Sequence, residues 1–200
     1  GMLREERIKM ALATLARFAK ILDNMGISKI HAFATAAVRR AKNAEQLTRP
    51  AATLLNNEIS VLSEQAEAYY AARGLTLNLP RATGLVADLG GSSIEIIKLS
   101  EGQIERSASF DFGHLSDVKR SQIKAAFAAT DWISAAAPKR LYGVGGSFRA
   151  FASAYIKQSG YPLPVLHGLT IPTKAARGLL TVFASESPEL GGVPLGRQKT

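Results

Sequence analysis

Two glycine turns in this chain have the residue types that hold an anion. The first is Asp88-Leu89-Gly90-Gly91-Ser92-Ser93-Ile94-Glu95, with a carboxylate where a strand should end, two glycines, two hydroxyls, and a second carboxylate just inside the next strand. Glycine lets backbone N–H groups close around phosphate oxygens, because no Cβ holds the anion away. The carboxylates of Asp88 and Glu95 cannot meet phosphate directly. They suit a bridging Mg2+ ion, which takes one or two carboxylates and completes its shell with water and substrate phosphate. An ordinary hairpin turn is the plainer reading of Gly-Gly-Ser, and the carboxylate closing a buried strand weighs against it. The second turn, Gly143-Val144-Gly145-Gly146-Ser147, stands between a predicted strand and a predicted helix, so the first N–H groups of that helix would face an anion. A strand-Gly-Gly-helix joint is also a common packing device. Two such turns in one chain make Gly90, Gly91, Ser92, Ser93, Gly145, Gly146 and Ser147 candidates for a bipartite phosphate cradle.

Glu67 is the candidate for chemistry. A carboxylate held near a phosphate can orient a water or take its proton; the alternative is a solvated glutamate on a helix face. Arg39 can neutralise phosphate, or belong with Arg40 to a basic helix face. His31, His114 and His167 are scattered without the spacing of metal ligands.

The elements that must position these residues follow from periodicity. Residues 3–25 carry Ile8, Leu12, Leu15, Phe18 and Leu22 at three- and four-residue steps, an amphipathic helix stopped by Gly26. Residues 29–34 read as a short buried strand and 35–40 as the start of a helix, a strand-to-helix joint of the kind where sites form. Asn43 can cap a helix through residue 55 that Pro50 kinks or restarts. Residues 58–62 read as a strand, and Ser63 as the cap of a helix over 64–73 ending at Gly74. Beyond Pro80 the pattern changes to consecutive strands at 84–89, 94–99 and 103–110, whose short turns require antiparallel pairing. A helix over 116–134, a strand over 140–144, a helix over 147–157, a strand over 167–171 and a helix over 173–184 complete the pattern. The Gly- and Pro-containing tail, 185–200, is expected to be flexible.

Composition narrows the partners. A formal charge of +9 on 200 residues favours polyanions in general, whether nucleic acid, polyphosphate or anionic lipid. Aromatic residues make up only 7% of the chain, too few for the stacking platform of a single-strand binder, which disfavours nucleic acid. The absence of cysteine excludes disulfides and thiolate metal sites. No apolar run is long enough for a membrane span, so a soluble cytoplasmic protein is the expectation. Gly1 ahead of Met2 reads as a remnant of tag removal.

Four segments together resemble one family, the exopolyphosphatase/guanosine pentaphosphate phosphohydrolase (Ppx/GppA) family. Residues 34–43, Ala-Thr-Ala-Ala-Val-Arg-Arg-Ala-Lys-Asn, are similar to its Ala-Thr-x-x-x-Arg-x-Ala-x-Asn segment, and Ser63 to Ala68 to its Ser-Gly-x-x-Glu-Ala segment. Asp88 to Glu95 resembles its Asp-Ile-Gly-Gly-Gly-Ser-x-Glu phosphate loop, and Gly143 to Ser147 its Gly-x-Gly-Gly-Thr turn. The resemblance implies an α/β, actin-like (ribonuclease H-like) fold, incomplete here. Residues 1–80 would be the end of domain I and 81–184 most of the core of domain II. It implies that Glu67 positions the hydrolytic water, that Asp88 and Glu95 hold Mg2+ or its waters, and that the two glycine turns line the phosphate path with Arg39 nearby. The substrate it implies is inorganic polyphosphate or guanosine pentaphosphate, and a homodimer is compatible with it.

The chain departs from the pattern at Ser92, which replaces a third glycine, and at Glu64, which stands where the family has glycine. The family's first phosphate loop also has no counterpart ahead of Leu3, so the chain reads as a central portion. A phosphate sensor without turnover is the reading from another class. An actin-like kinase or ATPase is disfavoured, because the glycine turns alone would not require the segments at 35–43 and 63–68.

Overall fold

The computed structural model describes residues 1–136 and 138–184; the predicted flexible tail lies outside the described residues. The chain divides into two compact units, one of Gly1–Tyr69 and one from Tyr70 onward.

The first unit opens with α1 (Glu5–Asn24), whose first turn carries Glu5 and Glu6 where a helix N-terminus favours negative charge. Gly26, at φ 65°, ends it as its sequence predicts. Strands β1 (Ala32–Ala34) and β2 (Ile59–Val61) pair in parallel, with Phe33 opposite Ser60. The connection between them holds the single turn α2 (Ala36–Arg39) and α3 (Glu45–Leu55), which packs against α1. A parallel pair needs such a crossover and leaves both strand ends at one edge. There α2 follows β1, and α4 (Glu64–Thr76) follows β2.

Three expectations need correction here, two in this unit and one in α4, which runs past Tyr69 into the next. The strand expected over 29–34 to be buried is three residues long and half open, with Phe33 64% exposed. Asn43 does not cap α3: Ala44 occupies that place, and the Asn43 side chain instead accepts from Leu3 N at 2.8 Å and donates to Leu3 O at 3.0 Å. Gly74 lies inside α4, which runs on to Thr76, because its lone effect within a helix is a modest propensity loss. Replacing Asn43 with Ala removes both long-range bonds to Leu3. Chemical denaturation should show a loss of about 1–2 kcal/mol.

The second unit is built on a four-stranded sheet in the order β5-β4-β3-β6. Strands β3 (Gly84–Leu89), β4 (Ile94–Ser100) and β5 (Gln103–Phe110) run antiparallel in sequence, and β6 (Leu141–Val144) returns parallel to β3. One face packs Leu85, Ala87 and Ile96 with Phe110, Phe127, Trp132 and Phe148. The other face carries Val86 and Ile97, directly opposite each other and fully buried. The helix expected over 116–134 is two: α5 (Arg120–Ala129) and α6 (Asp131–Ser134), separated at Thr130, whose backbone is extended. Helix α7 (Gly146–Ser159) follows β6, and α8 (Thr173–Ala184) packs Leu179 against Ala154 of α7. Residues 167–171 form no strand. Gly168 has φ 74° in a turn, and flanking Pro164 and Pro172 lack the N–H that a ladder needs. No helix among the described residues is long and apolar enough to cross a membrane.

Candidate functional site

In the first unit the side chains singled out from sequence meet at the carboxyl edge of the parallel pair, where open α/β sheets place their sites. The Ser63 hydroxyl accepts from Ala66 N at 3.1 Å, capping α4 as expected and fixing the turn that carries Glu67. Arg39, at the end of α2, donates from Nη1 to the Leu62 carbonyl at 2.7 Å and pairs through the same nitrogen with the Glu67 carboxylate. Both side chains are largely buried, with 18% of Arg39 and 14% of Glu67 exposed. Glu67 is therefore not a solvated surface glutamate, and Arg39 is engaged by protein rather than presented on a basic face. Glu64, the departure from glycine, brings a second carboxylate to within 3.7 Å of Arg39 and 4.0 Å of Arg40. A guanidinium fixed on a carbonyl and the Glu67 carboxylate, with Glu64 as a nearby second charge, is a rigid support for the carboxylate it holds.

In the second unit Asp88 and Glu95 are directly opposite across β3 and β4. The Glu95 side chain is buried, only 4% exposed, and accepts from Ser109 Oγ at 3.1 Å. Like charges directly opposite in an antiparallel pair repel, and a shared cation would reverse the sign of that interaction. The donor set, two carboxylates and no larger cluster of metal-ligating side chains among the described residues, fits Mg2+ completed by water and phosphate better than an all-protein cage.

The turn between these carboxylates is closed by Gly90 N donating to Ser93 O at 2.9 Å. Ser92 has no positive φ, so the serine in place of glycine meets no backbone strain. The other turn comes to the same place. Gly145 has φ 91°, and a Cβ there would lie 2.7 Å from Asp88 Oδ1, so only glycine lets the carboxylate at the end of β3 reach the start of α7. Ser147 Oγ lies 3.5 Å from the Leu89 carbonyl, and the first-turn amides of α7 lack acceptors within the helix. Thus Gly90, Gly91, Ser92, Ser93, Gly145, Gly146 and Ser147 lie on two turns joined at Asp88.

The segment after β5 was not anticipated. Gly113 backs onto the first turn, and the amides of His114 and Leu115 donate to Gly90 O at 3.0 Å and Gly91 O at 2.9 Å. Metal-ligand spacing carries no signal for His114, whose contacts lie 24 and 33 residues away in sequence.

A model of the Ppx/GppA phosphatase family matches residues 1–178. The chain belongs to the Ppx/GppA phosphatase family. Among curated relatives, a protein of Pseudoalteromonas atlantica named guanosine-5′-triphosphate,3′-diphosphate pyrophosphatase is 35% identical over 97 residues, 48% of this chain and 19% of that protein. The matched stretch spans less than a third of the length of the curated relatives. Among solved structures, an exopolyphosphatase from Cytophaga hutchinsonii superposes with a TM-score of 0.81 at 24% identity, over 99% of this chain and 72% of that one. The Ppx/GppA family member from Aquifex aeolicus gives 0.68 at 22% identity, over 91% of this chain and 64% of that one. The Ppx/GppA fold of this chain is therefore the mixed α/β, actin-like one that its motifs implied.

Proposed function

We propose that this Ppx/GppA chain carries phosphate-binding and water-activating parts of a phosphohydrolase that removes terminal phosphate from inorganic polyphosphate or the 5′ γ-phosphate from guanosine pentaphosphate. The observation that carries the reading is the junction of the two glycine turns at Asp88, with Gly145 admitting the carboxylate to the start of α7. Backbone N–H groups of both turns bind the phosphate oxygens, and the Ser92, Ser93 and Ser147 hydroxyls add donors. Glu67 orients the attacking water and takes its proton as the new P–O bond forms and the anhydride P–O bond breaks. The electron pair of the broken bond leaves with the shortened polyphosphate or the nucleotide. Arg39 holds the Glu67 carboxylate in one orientation, which makes it a positioning residue in this scheme as well as a local positive charge. Asp88 and Glu95 would hold Mg2+, which supplies neutralisation of phosphate charge when bound. Nothing in this chemistry requires a covalent enzyme intermediate, so positioning and charge provide the rate. A cytoplasmic location accords with a chain lacking cysteine.

The test is phosphate release from long-chain polyphosphate and from guanosine pentaphosphate, with Mg2+ and with EDTA. Release that requires Mg2+ supports the reading and ranks the two substrates. Tight binding of either anion without turnover would favour the sensor instead. Since a long polyanion sheds condensed counterions when cationic side chains replace them, its affinity should fall at least about tenfold between roughly 50 and 200 mM salt. Fluorescence titration of labelled polyphosphate measures this, and a flat salt profile would remove the electrostatic part of the proposal.

A further inference from the structure

His114 lies where the two glycine turns meet, and its ring geometry fixes its own proton. Nδ1 is 2.9 Å from the Gly90 carbonyl, which can only accept, so Nδ1 carries hydrogen and donates. The His114 backbone N–H donates to that same oxygen at 3.0 Å. Ser147 Oγ, in the first turn of α7, stands 3.5 Å from the same Nδ1, at the outer limit of a hydrogen bond. One residue thus grips the first turn twice and touches the second.

We propose that His114 is a positioning residue, a donor latch that fixes the Gly90 carbonyl and so sets the spacing between the 88–95 turn and the start of α7. Without the imidazole, Gly90 O keeps one donor instead of two, and the peptide planes on either side of it gain freedom. With the latch in place, the Gly90 carbonyl is held by the 113–115 segment, and its partial negative charge is neutralised beside the turns. The consequence for anion binding rests on the proposed phosphate site; the latch itself does not.

Two measurements separate them. Asparagine can place Nδ2 near the position of imidazole Nδ1, so His114→Asn keeps the donor, while His114→Ala and His114→Phe remove it with and without loss of bulk. Amide hydrogen exchange, followed by NMR on the full 200-residue chain, reads the latch without any ligand. The Gly90, Leu115 and Arg149 amides should exchange about two- to tenfold faster in the Phe and Ala variants than in the parent. His114→Asn should restore parent-like exchange, and amides of the β4–β5 ladder should not change. Equal acceleration in the Asn and Phe variants, or none in any variant, overturns the latch. If Ala does not fold, the Asn and Phe pair still decides. The Kd for magnesium tripolyphosphate should weaken by the same factor in His114→Phe and recover in His114→Asn. A parent chain that binds no tripolyphosphate would count against the phosphate reading, while exchange would still decide the latch.

Discussion

Glu67→Gln should lower phosphate release by about 10²- to 10⁴-fold, the usual contribution of a positioned acid or base. The glutamine is the cleaner substitution because Arg39 is largely buried and holds the residue directly. A glutamine oxygen still accepts from Nη1, so the guanidinium keeps a partner and the cap of α4 is undisturbed. Glu67→Ala would instead leave a buried charge without its closest carboxylate, and loss of stability would mix with loss of function. Single-turnover release from polyphosphate, beside thermal unfolding of both proteins, separates the two effects. If Glu67→Gln released phosphate within about threefold of the parent, far outside the acid–base range, Glu67 would be no part of the chemistry. Arg39→Lys offers a second check on the same pair. A lysine keeps the charge but offers one nitrogen where Arg39 sets Nη1 on Leu62 O and Glu67 and turns Nη2 towards Glu64, so turnover should fall while anion affinity changes little.

What the sequence made legible is uneven, and the division has a physical basis. Strands β3, β4 and β5 fall within a residue of expectation, because short Gly-containing turns that punctuate consecutive extended segments are local signals. The Ser63 cap and the Gly26 stop are local as well. Errors arose where a distant contact overrode a local preference. Asn43 has the right chemistry for a cap, but Leu3, 40 residues away, takes its side chain. Residues 167–171 have strand-like composition without a neighbouring strand to pair with, and proline and glycine decided the matter. The site shows the same contrast. Glycine turns and carboxylates are visible as motifs, whereas the Arg39–Glu67 pair and the grip of His114 on Gly90 depend on chain segments 28 and 24 residues apart being brought together. Motif spacing says which residues are present, and only tertiary structure says which of them support the others.

Two glycines on facing segments should both lose anion binding on substitution by alanine, one through the fold and the other without disturbing it. Gly113→Ala should destabilise the second unit by about 1–3 kcal/mol, the usual range for overpacking, and abolish tight anion binding with it. An added Cβ there would lie 2.2 Å from Ser92 N and 2.3 Å from both Gly91 C and Gly91 O. Those neighbours are backbone, so no side chain can rotate away, and the 90–93 turn must shift. Gly90 is different. Its nearest obstacle to a Cβ is Ser93 O at 3.4 Å, an ordinary contact, and its φ is not positive. The fold accordingly makes no demand for glycine at 90, and Gly90→Ala should change stability by less than about 0.5 kcal/mol. An anion held by the surrounding N–H groups does make that demand, since a methyl group would occupy the space where its oxygens approach. Gly90→Ala should therefore weaken magnesium tripolyphosphate binding by at least about tenfold, or 1.4 kcal/mol, with unfolding unchanged. Calorimetric titration and thermal unfolding of the two variants measure both quantities. Full affinity in a stable Gly90→Ala protein would mean that the turn does not receive phosphate at Gly90.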